Sequence, residues 1–155
     1  MKINIPNYKE IDIKNIVLDF NGTLASEGVV KQSTKSLLNE LKSKLNIFVV
    51  TADTFGTVKE ELRDVDVKYH IISKGSGSKD KEDFVKKLSK DNTIAIGNGH
   101  NDILMIKAAE IGICIIGSEG CFTQTLLNSD IAVNDIDQAL KLLLNENKLI
   151  ATLRK

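Results

Sequence analysis

At 155 residues the chain is long enough to bury a core and short enough to be read as a single domain, residues 1–155. Its 21 basic and 21 acidic side chains cancel, which excludes an electrostatic footprint for nucleic acid or an anionic membrane. No apolar run approaches the roughly 20 residues of a membrane span, and the opening Met1–Pro6 is too short and too polar for a secretory leader.

The opening residues, Lys2 to Ile5 and Lys9 to Ile13 around Pro6-Asn7-Tyr8, alternate apolar and polar and predict an N-terminal β-hairpin. A core strand follows at Ile16-Val17-Leu18 and ends at Asp19. Leu37, Leu38, Leu41 and Leu45 share one helical face. Ile47 to Val50 is a short buried strand ending at Thr51, and Val58 and Leu62 mark a helix with Thr57 to Glu60 as a capping box. Next come a strand over Val67 to Ile72, a flexible Gly75-Ser76-Gly77-Ser78 loop, and a helix with Phe84, Val85 and Leu88 on its apolar face. Thr93 to Ile96 is another buried strand running into Gly97, followed by a helix with Leu104, Ala108 and Ala109. The series closes with a strand Ile111 to Ile116, a short helix around Phe122 to Leu127, and a strand Ile131 to Val133. A helix carrying Ile136, Ala139, Leu140 and Leu143 comes last, and Leu153-Arg154-Lys155 reads as a solvated tail. Continuous apolar strands alternating with amphipathic helices imply a doubly wound α/β domain, its parallel sheet covered on both faces.

In such a sheet the strand C-termini converge on one edge, where ligands bind. Asp19, Thr51 and Asn98 each fall at or just past the end of a predicted core strand, so residues distant in sequence should meet there. Asp19 runs into Phe20-Asn21-Gly22-Thr23-Leu24, a turn that presents a carboxylate able to take a phosphoryl group. The charge of a phosphoryl group in flight needs donors and cations held in place. The Thr51 hydroxyl, with helix N-terminal amides beside it, can donate to one oxygen, and Lys81 can place an ammonium on another. Mg²⁺ is expected, because a hard cation prefers oxygen ligands; they would be Asp19, the Asn21 carbonyl, and the Asn98/Asp102 loop.

These residues resemble the haloacid dehalogenase superfamily, whose motifs are Asp-x-Asp-x-Thr, a Ser/Thr, a Lys and an acidic Gly-Asp-x-x-x-Asp loop. The likeness is nearest to the phosphorylation domain of P-type ATPases. Thr51-Ala52-Asp53 is similar to their Thr-Gly-Asp, and Lys81 to Leu88 to their Lys-x-x-x-Val-x-x-Leu. Gly97-Asn98-Gly99-His100-Asn101-Asp102 resembles their Gly-Asp-Gly-x-Asn-Asp, and Ala108 to Ile113 continues the match. The resemblance implies a Rossmann-like hydrolase with Asp19, Thr51 and Lys81 as catalytic residues. Asn21, Gly22, Thr23, Ala52 and Asp53 would bind substrate, and Asp19, Asn21, Asn98 and Asp102 would hold Mg²⁺. It further implies a small phosphorylated molecule or a phosphoprotein as substrate.

Two positions depart from the family pattern. Asn21 stands where hydrolases carry a second Asp, and an amide cannot shuttle a proton, a loss worth about 10²–10⁴ in rate. Activated donors such as anhydrides or acyl phosphates should therefore be favoured over alkyl esters. Asn98 stands where a metal-binding Asp is expected, so one negative charge is missing; both asparagines precede Gly, and deamidation could restore a carboxylate. The alternative is a non-catalytic phosphate- or metal-binding protein that kept the fold. A response-regulator receiver fits poorly, since the first strand carries one Asp and the third offers no phosphorylatable one.

The gaps between Asp19 and Thr51, and between Asp53 and Lys81, are too short for a folded cap or a nucleotide-binding domain. A capless site is open, so either the substrate is large or a neighbouring subunit supplies the missing wall, and a homo-oligomer is expected. Lys79 competes with Lys81 for the phosphate, with Lys81 preferred on the register of Val85 and Leu88. Asp53 is equally a helix cap, Asp102 could cap the helix after it, His100 reads as an exposed loop residue and His70 as structural or surface. Cys114, in an apolar run, and Cys121, in a Gly-flanked turn, read as buried or incidental thiols of a reduced, cytoplasmic compartment.

Overall fold

The computed structural model describes residues 1–52, 57–73 and 75–155. The N-terminal hairpin pairs β1 (Lys2–Ile5) with β2 (Lys9–Asp12), antiparallel, as a separate two-stranded sheet. Alternation buries Ile3 and Ile5 while Lys2 and Asn4 face solvent, as a half-buried ribbon requires.

The main sheet holds six parallel strands among the described residues: β3 (Asn15–Asp19), β4 (Asn46–Thr51), β5 (Lys68–Ile71), β6 (Thr93–Gly97), β7 (Ile111–Ile115) and β8 (Ile131–Val133). Their order in space is β5-β4-β3-β6-β7-β8. The chain winds outward from β3 to one edge, then crosses back to β6 and winds to the other. The strand order therefore reverses beside β3, which makes the carboxyl end of β3 the crevice of the sheet.

Helices cover both faces: α1 (Gln32–Leu41), α2 (Val58–Glu61), α3 (Gly77–Lys87), α4 (Ile103–Ala108), α5 (Thr123–Leu127), α6 (Ile136–Leu144) and α7 (Glu146–Leu153). The pleat sorts β3 between two cores. Ile16 and Leu18 join the larger one, with Leu38, Leu41, Leu140 and Leu143, whereas Val17 joins the smaller one, with Val85, Met105 and Ile106. Burying each such side chain is worth about 1.5–3 kcal/mol. Asp19 has the parity of Val17, so the strand sends its carboxylate to the α3/α4 face.

Three expectations are corrected. Gly77 and Ser78 belong to α3 rather than to a loop, because Asp80 gathers the preceding residues, accepting from the Ser73 and Ser76 hydroxyls at 2.5 and 3.1 Å. The Thr57 side chain makes no cap bond at the start of α2. Of the expected Leu153-Arg154-Lys155 tail, Leu153 belongs to α7 while Arg154 and Lys155 are exposed; Asn145 caps that helix by accepting from the Lys148 N–H, and Leu149 is fully buried. The helix marked by Val58 and Leu62 runs over Val58–Glu61.

Candidate active site

Lys81 and Val85 lie one turn apart on the buried stripe of α3, so the packing that seats Val85 also carries Lys81 into the crevice. The Lys81 Nζ donates to Asp19 Oδ1 and to Asp102 Oδ1, each at 2.6 Å. Lys81 is 1% exposed and Asp102 0%, whereas the Asp19 side chain keeps 10% of its surface open. The nucleophile candidate is thus held from inside and reached from outside. Lys79, by contrast, is exposed and pairs with Glu82 at 2.7 Å and Asp83 at 3.1 Å. Of the two lysines, Lys81 is the one the helix buries against the crevice carboxylates.

Burial by itself works against the charge on Lys81, yet Asp19 and Asp102 together hold its pKa above the ordinary lysine value. Asp19 is pushed up to about 7, first by burial and then by the charge of Asp102, with Lys81 pulling the other way. A carboxylate tuned to neutrality in a cleft is a mark of a functional group.

Asp102 anchors the loop after β6. Its Oδ2 accepts from the Asn98 and Gly99 N–H groups at 3.0 and 2.9 Å, and it makes no cap bond to α4. Gly97 is required beneath it, since a Cβ there would stand 2.5 Å from Asp102 Cγ. The β7–α5 segment buttresses the same loop. Thr125, fully buried, donates to the Gly99 carbonyl at 2.7 Å, and the Phe122 N–H donates to the Asn98 carbonyl at 2.8 Å. No motif announces Thr125 or Phe122, whose roles depend wholly on this packing.

Asn21 is exposed at the crevice mouth, in the turn closed by Gly22 N–H to Ala25 C=O at 2.9 Å. Thr23 is turned inward and donates to Asn98 Oδ1 at 3.2 Å, so its hydroxyl joins two loops. Thr51 is buried at the end of β4, one residue past the pairing of Val50 with Asp19, and Ala52 follows it half-buried. Asp53 lies outside the described residues. His100 is exposed and meets the Phe122 ring edge-on at 4.9 Å, and His70 stacks on Phe84 at 4.1 Å. Burial, and then the neighbouring Cys121 thiol, push Cys114 up to about 12, which leaves it an inert core group.

Among the described residues no three His, Cys, Asp or Glu side chains form a metal cluster. Of the expected ligands, Asp19 Oδ1 accepts from Lys81 and Asn98 Oδ1 from Thr23, while Asp102 is engaged at both oxygens, by Lys81 and by the loop amides. One carboxylate with neutral carbonyls suits Mg²⁺, which uses few protein ligands and completes its shell with water and phosphate. Beside Asn21 opens a cleft of about 720 Å³, lined also by Glu27, Val29, Glu60, Glu61 and Glu119.

A parallel sheet presenting a partly open carboxylate at its switch point, paired to a buried lysine, defines a Rossmann-like fold with a candidate active site. Comparison with known proteins agrees. The sequence model for haloacid dehalogenase-like hydrolases matches residues 72–119, so this segment of the chain is similar to that superfamily. It is 55% identical over 75 residues to an uncharacterised protein of Methanocaldococcus jannaschii, covering 46% of this chain and 81% of that one. It is also 45% identical over 62 residues to the human phospholipid-transporting ATPase ID, covering 40% of this chain but 5% of the transporter's length. Among solved structures, the 3-deoxy-D-manno-octulosonate 8-phosphate phosphatase of Moraxella catarrhalis, in complex with magnesium, phosphate and KDO, superposes with a TM-score of 0.71 at 22% identity, covering 92% of this chain and 94% of that one. A hydrolase of the same superfamily from Legionella pneumophila gives 0.73 at 16% identity, covering 91% and 87%. Among the described residues no helix is long and apolar enough to cross a membrane.

Proposed function

We propose that the chain is a Mg²⁺-dependent phosphohydrolase or phosphotransferase working through an aspartyl-phosphate on Asp19. The observation that carries this reading is the bridge of Lys81 Nζ, 2.6 Å from both Asp19 and Asp102, at the sheet's switch point. An Asp19 oxygen attacks the phosphorus of the donor; the bond from phosphorus to the leaving oxygen breaks, and that oxygen departs with the electron pair. Lys81 moves from the carboxylates toward the equatorial oxygens and offsets their charge, with the Thr51 hydroxyl and the amides at Ala52 as further donors. Water then attacks the phosphorus, its proton passes to the released phosphate or to solvent, and Asp19 leaves as a carboxylate. Asp19, Asn21 and Asn98 would hold Mg²⁺, which supplies electrostatic stabilisation of phosphate charge when bound.

Asn21 offers no acidic proton to the leaving oxygen, so the donors are activated ones, anhydrides or acyl phosphates, carried by a small molecule or a phosphoprotein. The open mouth is consistent with a neighbouring copy of this chain as the missing wall, and the even charge balance with a protein that binds neither nucleic acid nor an anionic membrane. Asp53 is kept as a substrate contact on its motif alone. The two amides, Asn21 and Asn98, favour one competing reading, a phosphate- or metal-binding protein without turnover.

The deciding experiment incubates the protein with Mg²⁺ and acetyl phosphate or ATP and seeks phosphate on the Asp19 peptide by mass spectrometry. An adduct is expected in the wild type and absent from Asp19→Asn, while Asn21→Asp should release phosphate about 10²-fold faster or more. No adduct and no phosphate release, with Asn21→Asp equally inert, would leave the binding-protein reading standing.

A further inference from the structure

Two loops wall the open side of the crevice, residues 20–30 after β3 and residues 116–122 after β7. They are stitched along their rims: Ser26 Oγ lies 2.9 Å from Ser118 Oγ, and the Glu27 N–H donates to Glu119 Oε1 at 3.4 Å. At the centre of the seam stands Asn98. Its Oδ1 accepts from Thr23 Oγ1 and its Nδ2 donates to the Gly120 carbonyl, both at 3.2 Å. A backbone carbonyl can only accept, so the nitrogen end of the amide must face Gly120. Gly22 lies flat against this amide. A Cβ there would stand 2.6 Å from Asn98 Nδ2, and its φ of +75° is left-handed, so glycine fits on both counts.

We propose that Asn98 is a positioning residue that also sets specificity: its amide nitrogen holds the 117–122 loop, and with it Glu119, as one wall of the cleft that receives the leaving group. The specificity part rests on the phosphoryl-transfer reading; the strut itself does not. Asparagine at this position is then more than an aspartate short of one charge. An aspartate would have the same shape but would set an oxygen against the Gly120 carbonyl, two acceptors facing each other with no proton between them. The extra charge that should attract Mg²⁺ would release the wall. Deamidation of Asn98 would likewise open the site rather than repair it.

The test follows hydrogen–deuterium exchange by mass spectrometry over residues 117–122, in chelator and in Mg²⁺, for the wild type, Asn98→Asp and Asn98→Ser. Serine removes the bond to Gly120 without adding charge, and covers the case in which the aspartate variant does not fold. Exchange in this loop should rise about tenfold or more in both variants while peptides from β3 and β6 keep their protection. Steady-state kinetics adds a readout that loosening alone would not move. In Asn98→Asp, KM for p-nitrophenyl phosphate, whose aryl group needs the cleft, should rise severalfold more than KM for acetyl phosphate, whose leaving group is small. Unchanged loop exchange in both variants overturns the strut, whatever the turnover. Faster exchange with both KM values unmoved, or moved equally, overturns the specificity role. A wild-type protein inert toward every donor would sink the phosphoryl-transfer reading and the specificity role with it, and the exchange would still decide the strut.

Discussion

Asp19, at the end of β3, and Asp102, in the turn after β6, each sit 2.6 Å from one ammonium group, yet in different company. Asp102 is sealed from solvent, and its second oxygen takes two backbone N–H groups, so every bond it makes tightens the loop that carries it. Asp19 faces the crevice, is raised to about 7 chiefly by burial, and relies on Lys81 to hold its charge. The difference teaches that one lysine can serve a sealed anchor and a partly open carboxylate together, Asp102 taking two loop N–H groups where Asp19 takes only that of Phe20.

The sharpest way to break the comparison is to remove the shared cation. Lys81→Met keeps the bulk of the side chain but strands two buried carboxylates, so urea unfolding should show a loss of about 3–5 kcal/mol, with no adduct forming on Asp19. A loss confined to activity would mean that Asp102 is held by its loop alone.

Asp102→Asn should have a smaller effect, about 1–3 kcal/mol by the same measurement, because a buried acceptor for Lys81 or the loop amides is lost. It should also move the Asp19 titration below about 7, since the charge of Asp102 helps raise it; carboxyl ¹³C resonances would report this. The sign of the pH dependence follows. The folded pKa of Asp19 lies above its ordinary value of 3.8, so the folded chain retains a proton that the unfolded chain gives up. The contribution of Asp19 to stability is therefore fully present below about pH 4 and is lost as pH rises through about 7. In metal-free protein the difference between wild type and Asp19→Asn should trace this decline; a flat difference would place Asp19 in a wetter setting. Lys81, raised above 10.5, takes no part in that window. Least of all should follow from Lys79→Ala, which ought to leave the unfolding midpoint and adduct formation unchanged, because that lysine meets its partners in solvent.

The strands and most helices were legible because apolar runs and 3.6-residue stripes report directly on burial: Ile94 to Ile96 and the Lys81/Val85 register appear in the fold as the pattern implies. Helix α7 escaped because Leu149, Ile150 and Leu153 make too short a stripe to stand apart from a polar tail; only its docking on the hairpin buries Leu149. The start of α3 escaped because Gly and Ser argue for a loop until the Asp80 carboxylate collects Ser73 and Ser76. Thr125 and Glu119 had no motif to give them away, since a side chain that braces another loop leaves no periodic trace.

The sequence alone determined the alternation of strand and helix, the carboxylate at the end of the first core strand, and the set of residues that could meet it. Those are local properties, written in hydrophobic period and residue type. Which carboxylates the buried Lys81 bridges and which way the Asn98 amide points were decided only in three dimensions. Each depends on partners 21 to 75 positions away in the chain, and only the closed fold supplies their burial and their facing donors and acceptors.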